Sequence, residues 1–340
     1  MPVRHRLFAI FAAVLALAAV TGPSRADPVR IEIGYIPILA ATPLLILDAE
    51  GWAKAEGLDI NLIRFESGPS AIQALAAGRV DVVYAGVGPV LVARGSGVDV
   101  SVIANSAVEE LALVGRGDLA AIAKGRSGKE AVEAFFAQKG RKAKISTQPP
   151  GSVPDTVLRY WLVKVAGIDL AKVELVSMGI EKTQQALMAG AVDAAMIREP
   201  TITVVRDQDP QAAILAQGGE MFPDQPGTVV AARGAFLKAH PAAAATLVRL
   251  HIKASDLIAR DKARAAKDAH EYIGKGLIEL TTTERAIASP SSKFVANPHL
   301  VVEATARMQD FQKEQGNVTT VVPVAEVFDF SFYDAATGKK

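Results

Sequence analysis

The chain has 340 residues, half of them hydrophobic, with 37 basic and 36 acidic residues and no cysteine. Such a content fills two cores of ordinary size and excludes a disordered chain; the balanced charge, with no dense run of Lys and Arg, argues against a nucleic-acid face. Without cysteine there is no disulfide, no thiolate metal site, no cysteine nucleophile and no acylated cysteine to tether the chain to lipid.

The first 26 residues read as a separate object. Arg4 and Arg6 precede an apolar run from Leu7 to Val20, and Ser24-Arg25-Ala26 offers small residues where a signal peptidase cuts. The run is shorter than the roughly 20 residues needed to cross hydrocarbon. We therefore expect export with cleavage after Ala26, no lipid anchor and a periplasmic location. Cleavage would remove Arg4, Arg6 and Arg25 and leave 34 basic against 36 acidic residues.

From Arg30 onward, short apolar runs alternate with amphipathic stretches, the pattern of βαβ units and a parallel sheet. Strands are predicted at 30–35, 60–65 and 80–85, with helices over 43–55 and 69–77 between them. Gly57 and Gly78 stand where a left-handed residue ends a helix. A second set follows: strand 144–146, helix 154–165, strand 173–177, helix 183–189 and strand 191–197. Ala74, Leu75, Gly78, Val80 and Asp81 recur as Ala186, Leu187, Gly190, Val192 and Asp193, each 112 residues later, and Ile33 and Ile145 keep that spacing. A repeat this long with three strands per copy predicts two similar α/β lobes.

Two further strands, 110–116 and 228–233, flank the second copy. We read them as two crossings between the lobes, placing 27–114 and 229–340 in the first lobe and 115–228 in the second. The tail beyond Phe236 is helical by pattern and is expected to cover the first lobe's sheet.

In open α/β sheets, ligands bind beyond the carboxyl ends of the strands, where the next helices begin. In the first lobe that rule selects Tyr35, Pro37 and Thr42, then Ser67, Gly68 and Ser70, then Gly86, Val87 and Gly88; Asn105 and Glu110 lie towards the first crossing. In the second lobe it selects Gln148, Gly151 and Ser152, then Ile180, then Arg198 and Glu199. Pro43, Pro69, Pro89, Pro154 and Pro200 are predicted at first helical positions, where a missing N–H costs nothing. The free N–H groups and positive ends of these helices would face the gap and favour an anionic group. Ser67, Ser70 and Ser152 can serve an oxyanion or cap their helices. Arg198 stands at the repeat position of Gly86 and can grip an oxyanion through two hydrogen bonds, or pair with adjacent Glu199, or stand as a solvated charge at the rim. Glu66, Glu109, Glu110 and Glu199 would suit an amine or a zwitterion.

No catalytic or metal constellation is legible, and no cofactor is called for. The histidines His240, His251, His270 and His299 are scattered along the tail and read as surface or packing residues. Ser127 and Glu130 fit a capping box better than a phosphate loop.

The stretch IGYIPILAATPLLILDAEGWAKAEGLDI, followed by FESGPSAIQALAAGRVDVVYAG and later DAAMIREP, GTVVAARGAFLKAHP and FDFSFYDAA, resembles the nitrate, sulfonate and taurine class of ABC-transporter solute-binding proteins. That class also contains binders of thiamine pyrimidine precursors. The resemblance spans nearly all of the mature chain. It implies a two-lobed type II periplasmic binding fold with two crossing strands as hinge. It further implies a non-enzyme, expected as a monomer, that closes on a small anionic or zwitterionic molecule. Its partners would be an inner-membrane ABC permease and a cytoplasmic ATPase. A heterocycle binder, or an enzyme on the same two-lobed shape, is the alternative; the related pyrimidine synthase class depends on a cysteine-rich segment that this chain lacks. In proteins of this class an aromatic residue often precedes Glu-Pro, where this chain has Arg198.

Overall fold

A computed structural model describes residues 27–273 and 278–338; the expected signal segment lies outside them. Two five-stranded sheets carry the molecule. The first has the order β2 (Leu58–Arg64), β1 (Val29–Tyr35), β3 (Val82–Gly86), β11 (Thr228–Arg233) and β4 (Val100–Asn105). The second has the order β8 (Val173–Ser177), β7 (Ala143–Thr147), β9 (Ala194–Arg198), β6 (Leu111–Gly115) and β10 (Ala213–Gln217). A short ribbon pairs β5 (Ala107–Val108) with β12 (Lys293–Phe294).

The two orders are the same arrangement built twice. Each sheet holds three parallel strands, one antiparallel strand that arrives from the other half of the chain, and an edge strand that leaves towards it. The repeated aspartate explains why the sequence word recurs. Asp81 accepts the Glu32 N–H at 3.1 Å and Asp193 accepts the Lys144 N–H at 2.9 Å, so each carboxylate ties the start of the third strand to its parallel neighbour. Arg233 and Arg141 close the outer sides of the two carboxylates.

Several expectations need correction. β4 and β10 are not among the predicted strands: β10 is a short run without alternation, while β4 does carry it, in Val98-Asp99-Val100-Ser101-Val102, a signal that sequence reasoning missed. The segments predicted to cross at 110–116 and 228–233 are instead interior strands, β6 of the second sheet and β11 of the first, so the boundaries at Val114 and Val229 fall inside strands; the chain passes between sheets through Ser106–Glu110 and again through Gly218–Gly227. The helix predicted over 43–55 is two helices, Thr42–Ala49 and Trp52–Ala55, broken at the left-handed Gly51 (φ 68°). Gly57 and Gly78 are left-handed as expected, with φ of 79° and 70°. The capping box of Ser127 and Glu130 opens the helix Gly128–Lys139.

The long tail helix Pro241–Arg260 buries Leu247, Val248, Leu250, His251 and Ala254 against the first sheet. Later tail segments touch both lobes. Arg285 pairs with Asp207, and the Gln312 Nε2 donates to the Gly151 carbonyl at 3.0 Å and to Thr156 Oγ1 at 3.1 Å.

Candidate functional site

The lobes meet at the carboxyl ends of their strands. Backbone hydrogen bonds cross between them directly: Leu39 N–H to the Glu199 carbonyl and Ile180 N–H to the Glu66 carbonyl, both at 3.1 Å. Arg64 pairs with Glu181 across the same seam. The glycines of the first lobe's third loop make room for this approach. A Cβ on Gly86 would lie 2.7 Å from Val153 Cγ2, and one on Gly88 would lie 2.9 Å from the Gly151 carbonyl and from Gln312 Nε2. Sequence alone assigns these glycines to a ligand; at closure they also receive the opposite lobe.

Two small cavities of about 10 Å³ each lie inside the seam, and Arg198 lines both. The front cavity takes Ile36, Ile38, Gly68, Gly86 and Pro89 from the first lobe and Gln148, Ser152, Val153, Pro154 and Arg198 from the second. Three helices begin there: Gly68–Ala76, Val87–Gly95 and Val153–Tyr160. Their first turns hold Pro69, Pro89 and Pro154, and among the described residues the N–H groups of Gly68, Gly88 and Val153 donate to no protein acceptor. Unsatisfied N–H groups at helix starts, together with the positive helix ends, make this wall attractive to negative charge.

Arg198 ends β9, at the repeat position of Gly86, which ends β3. Its side chain is 6% exposed, and Nε lies 2.7 Å from Glu110 Oε1. That is ion-pair distance, yet the N–H is not aimed at the oxygen, and the guanidinium makes no hydrogen bond to any described residue. The Thr228 hydroxyl lies within bonding distance of both Glu110 oxygens, 3.1 Å from Oε1 and 3.0 Å from Oε2, and shares its single proton between them. Thr228 opens β11, so the pair ties the end of β9 to both crossings. A buried arginine left with unspent donors can form charge-assisted bonds with an oxyanion.

The back cavity, behind Arg198, is lined by Glu110, Glu199 and Lys293 among others. Burial pushes the Glu199 carboxyl above the usual carboxylate range, opposed by hydrogen bonds from Ser289 and from Thr203 N–H. The Thr203 contact, at 3.0 Å, occupies the start of the helix Thr201–Gln208. Glu66 does the same across the seam, accepting the Glu181 N–H at 3.3 Å at the start of the helix Ile180–Met188. Two of the six predicted loops therefore present helix starts already neutralised by the protein's own carboxylates.

Other predicted residues fall elsewhere. Ser67 caps its helix through Ser70 N–H, and the Ser70 hydroxyl donates to the Ser67 carbonyl at 2.8 Å, so both serve the helix start. Ser152 accepts the Asp155 N–H in the same way but also lines the front cavity. Tyr35 and Thr42 are packed in the first lobe, Val87 donates its N–H to the Gly227 carbonyl, and Asn105 holds the Val295 carbonyl. Pro37 and Ile180 line a third cleft at the seam's edge, and Gly151 an outer groove. Pro43, Pro69 and Pro154 sit at second helical positions, Pro89 at the third and Pro200 just before its helix, not at first positions. The N–H groups at the second and third positions are also spare, so proline is tolerated there for the same reason. Sequence reasoning missed Gln312, which lies in the tail and has no counterpart in the repeat.

Two lobes, each with its own mixed five-stranded sheet, joined by two crossing segments around a polar seam, define the periplasmic-binding-protein fold. The solved nitrate-binding protein NrtA from Synechocystis superposes with a TM-score of 0.78 at 15% identity, covering 92% of this chain and 89% of that one. The alkanesulfonate-binding protein SsuA from Xanthomonas axonopodis pv. citri, bound to MOPS, gives 0.72 at 20% identity over 90% of this chain and all of its own. In sequence, a putative binding protein of Brucella abortus is 29% identical over 246 residues, 71% of each chain. The NMT1-like family matches residues 24–274, and the chain belongs to that family.

Proposed function

We propose that this chain is the periplasmic substrate-binding component of an ABC importer, and that it captures a small oxyanion between its lobes. Nitrate, bicarbonate and short sulfonates are the candidate ligands. The observation that carries the reading is the front cavity, where three helix starts and a buried guanidinium with unspent donors converge from both lobes. The names of the relatives, binding proteins for nitrate and sulfonate among them, support it. Each cavity admits little more than one water-sized group in the closed arrangement. A solute therefore enters as the lobes part and holds them somewhat wider than here, in a form stabilised because both lobes contact the ligand at once. The partners in this reading are an inner-membrane permease and a cytoplasmic ATPase, and no step of it needs a cofactor.

Titration calorimetry with nitrate, bicarbonate, methanesulfonate and taurine tests the proposal. At least one of them should bind in a 1:1 ratio, and Arg198→Ala should weaken that binding about tenfold or more, the scale of a lost charge-assisted hydrogen bond. Undiminished affinity in the variant would remove Arg198 from the site.

A further inference from the structure

Behind Arg198, on the side away from the helix starts, stands a second buried charge. Glu110 is 3% exposed, with Oε1 2.7 Å from Arg198 Nε. Its position is closely held: the Thr228 hydroxyl shares its one proton between the two oxygens, and a Cβ on Gly227 would lie 2.9 Å from the carboxyl carbon, so the crossing segment packs directly onto it. The remaining charges nearby add no free positive charge. Lys293 spends its ammonium on Glu109, and Glu199 faces the same back cavity as a second acid.

We propose that Glu110 sets the charge of the ligand, selecting monovalent over divalent oxyanions by cancelling the Arg198 guanidinium from behind. This inference rests on the oxyanion reading and deepens it. With Glu110 in place, Arg198 supplies hydrogen-bond donors in a fixed fork but little net charge. What attracts an anion is then the three helix starts, worth about half a unit charge each. That suits one negative charge on the ligand. A second charge would find only about half a unit of positive potential left to meet it, and would face Glu110 and Glu199 through a short, poorly screened distance. Discrimination thus comes from a repulsive group built behind the attractive one.

The test compares nitrate, bicarbonate and methanesulfonate with sulfate and thiosulfate at fixed ionic strength, by calorimetry on the wild-type chain and on Glu110→Gln and Glu110→Asp. The wild type should bind its best monovalent ion at least about tenfold more tightly than either divalent ion, a gap of about 1.4 kcal/mol. Glu110→Gln keeps the size of the side chain and removes its charge, and should shrink that ratio about tenfold by admitting divalent ions. Glu110→Asp keeps the charge and should keep the ratio, a result that a purely structural role would not produce. Equal wild-type affinity for sulfate and the best monovalent ion overturns the inference, as does a ratio unchanged in Glu110→Gln. If that variant fails to fold, the wild-type ratio decides alone. Binding of none of the five ions would instead overturn the oxyanion reading beneath it.

Discussion

His251 sits wholly inside the first lobe, with Nδ1 3.2 Å from the Tyr84 hydroxyl and Nε2 2.7 Å from the Asn105 carbonyl. Burial lowers its pKa to about 4, below the 6.5 it has when exposed. The unfolded chain then takes up a proton that the folded chain refuses. The stabilising contribution is full above about pH 6.5 and is lost as pH falls through about 4, on the order of 3 kcal/mol in total. Chemical denaturation from pH 7 to 4 should show this loss, and His251→Gln, which can serve both partners without titrating, should flatten the slope. The difference between the two proteins isolates the histidine, because burial raises Asp155 and Glu199 and their contributions run the opposite way as pH falls. An identical slope in the variant would contradict the assignment. At this scale the sequence was informative about one residue and silent about its neighbours. The repeat aligned Arg198 with Gly86 and marked it as the departure between copies, but its contact with Glu110 joins residues 88 positions apart through a crossing that no local pattern reveals.

Helix starts and the glycines facing them are the elements on which closure depends. Gly88→Ala would put a methyl group 2.9 Å from the Gly151 carbonyl. The Gly151 conflict exists only where the lobes meet, and the other close neighbour, Gln312 Nε2 at 2.9 Å, is the end of a flexible side chain in the first lobe's own tail that can swing aside, so each lobe can fold around the change. The unliganded melting temperature should therefore stay within a few degrees of wild type, while the upward shift given by a bound oxyanion should shrink markedly. A full ligand-induced shift would show that the lobes do not approach as closely as described. Ser152→Ala removes the cap of the helix Val153–Tyr160 and should cost about 1 kcal/mol of stability, read from denaturation midpoints at constant slope. Most strands and helices of the repeat were legible because their apolar spacing and terminal glycines are local signals. The edge strand β10 was not, since its pairing is decided by the strand that arrives from the other lobe, whereas the alternation of β4 was present and missed. The prolines marked the neighbourhood of their helix starts, but the number of starts left open was overstated: Glu199 fills that of Thr201–Gln208 from four residues upstream, and Glu66 fills the proline-free start of Ile180–Met188 by a tertiary contact that no local pattern reveals.

The whole molecule is one α/β unit made twice and exchanged: each half sends its edge strand's continuation into the other half's sheet. That exchange places both connections, Ser106–Glu110 and Gly218–Gly227, side by side and hydrogen-bonded to each other at the seam; in the proposed reading they are the hinge about which the sheets move as bodies. The tail then crosses the junction, with Gln312 holding the loop at Gly151 and Arg285 holding Asp207. In the proposed reading, solute binding and closure are one event. A crystal structure of the chain grown with whichever oxyanion binds most tightly in solution tests that most directly. The ion should lie in the front cavity, with oxygens about 2.7–3.1 Å from the Arg198 guanidinium and from N–H groups of Gly68, Gly88 or Val153. An ion bound outside the seam, or held there by one lobe alone, would contradict the account.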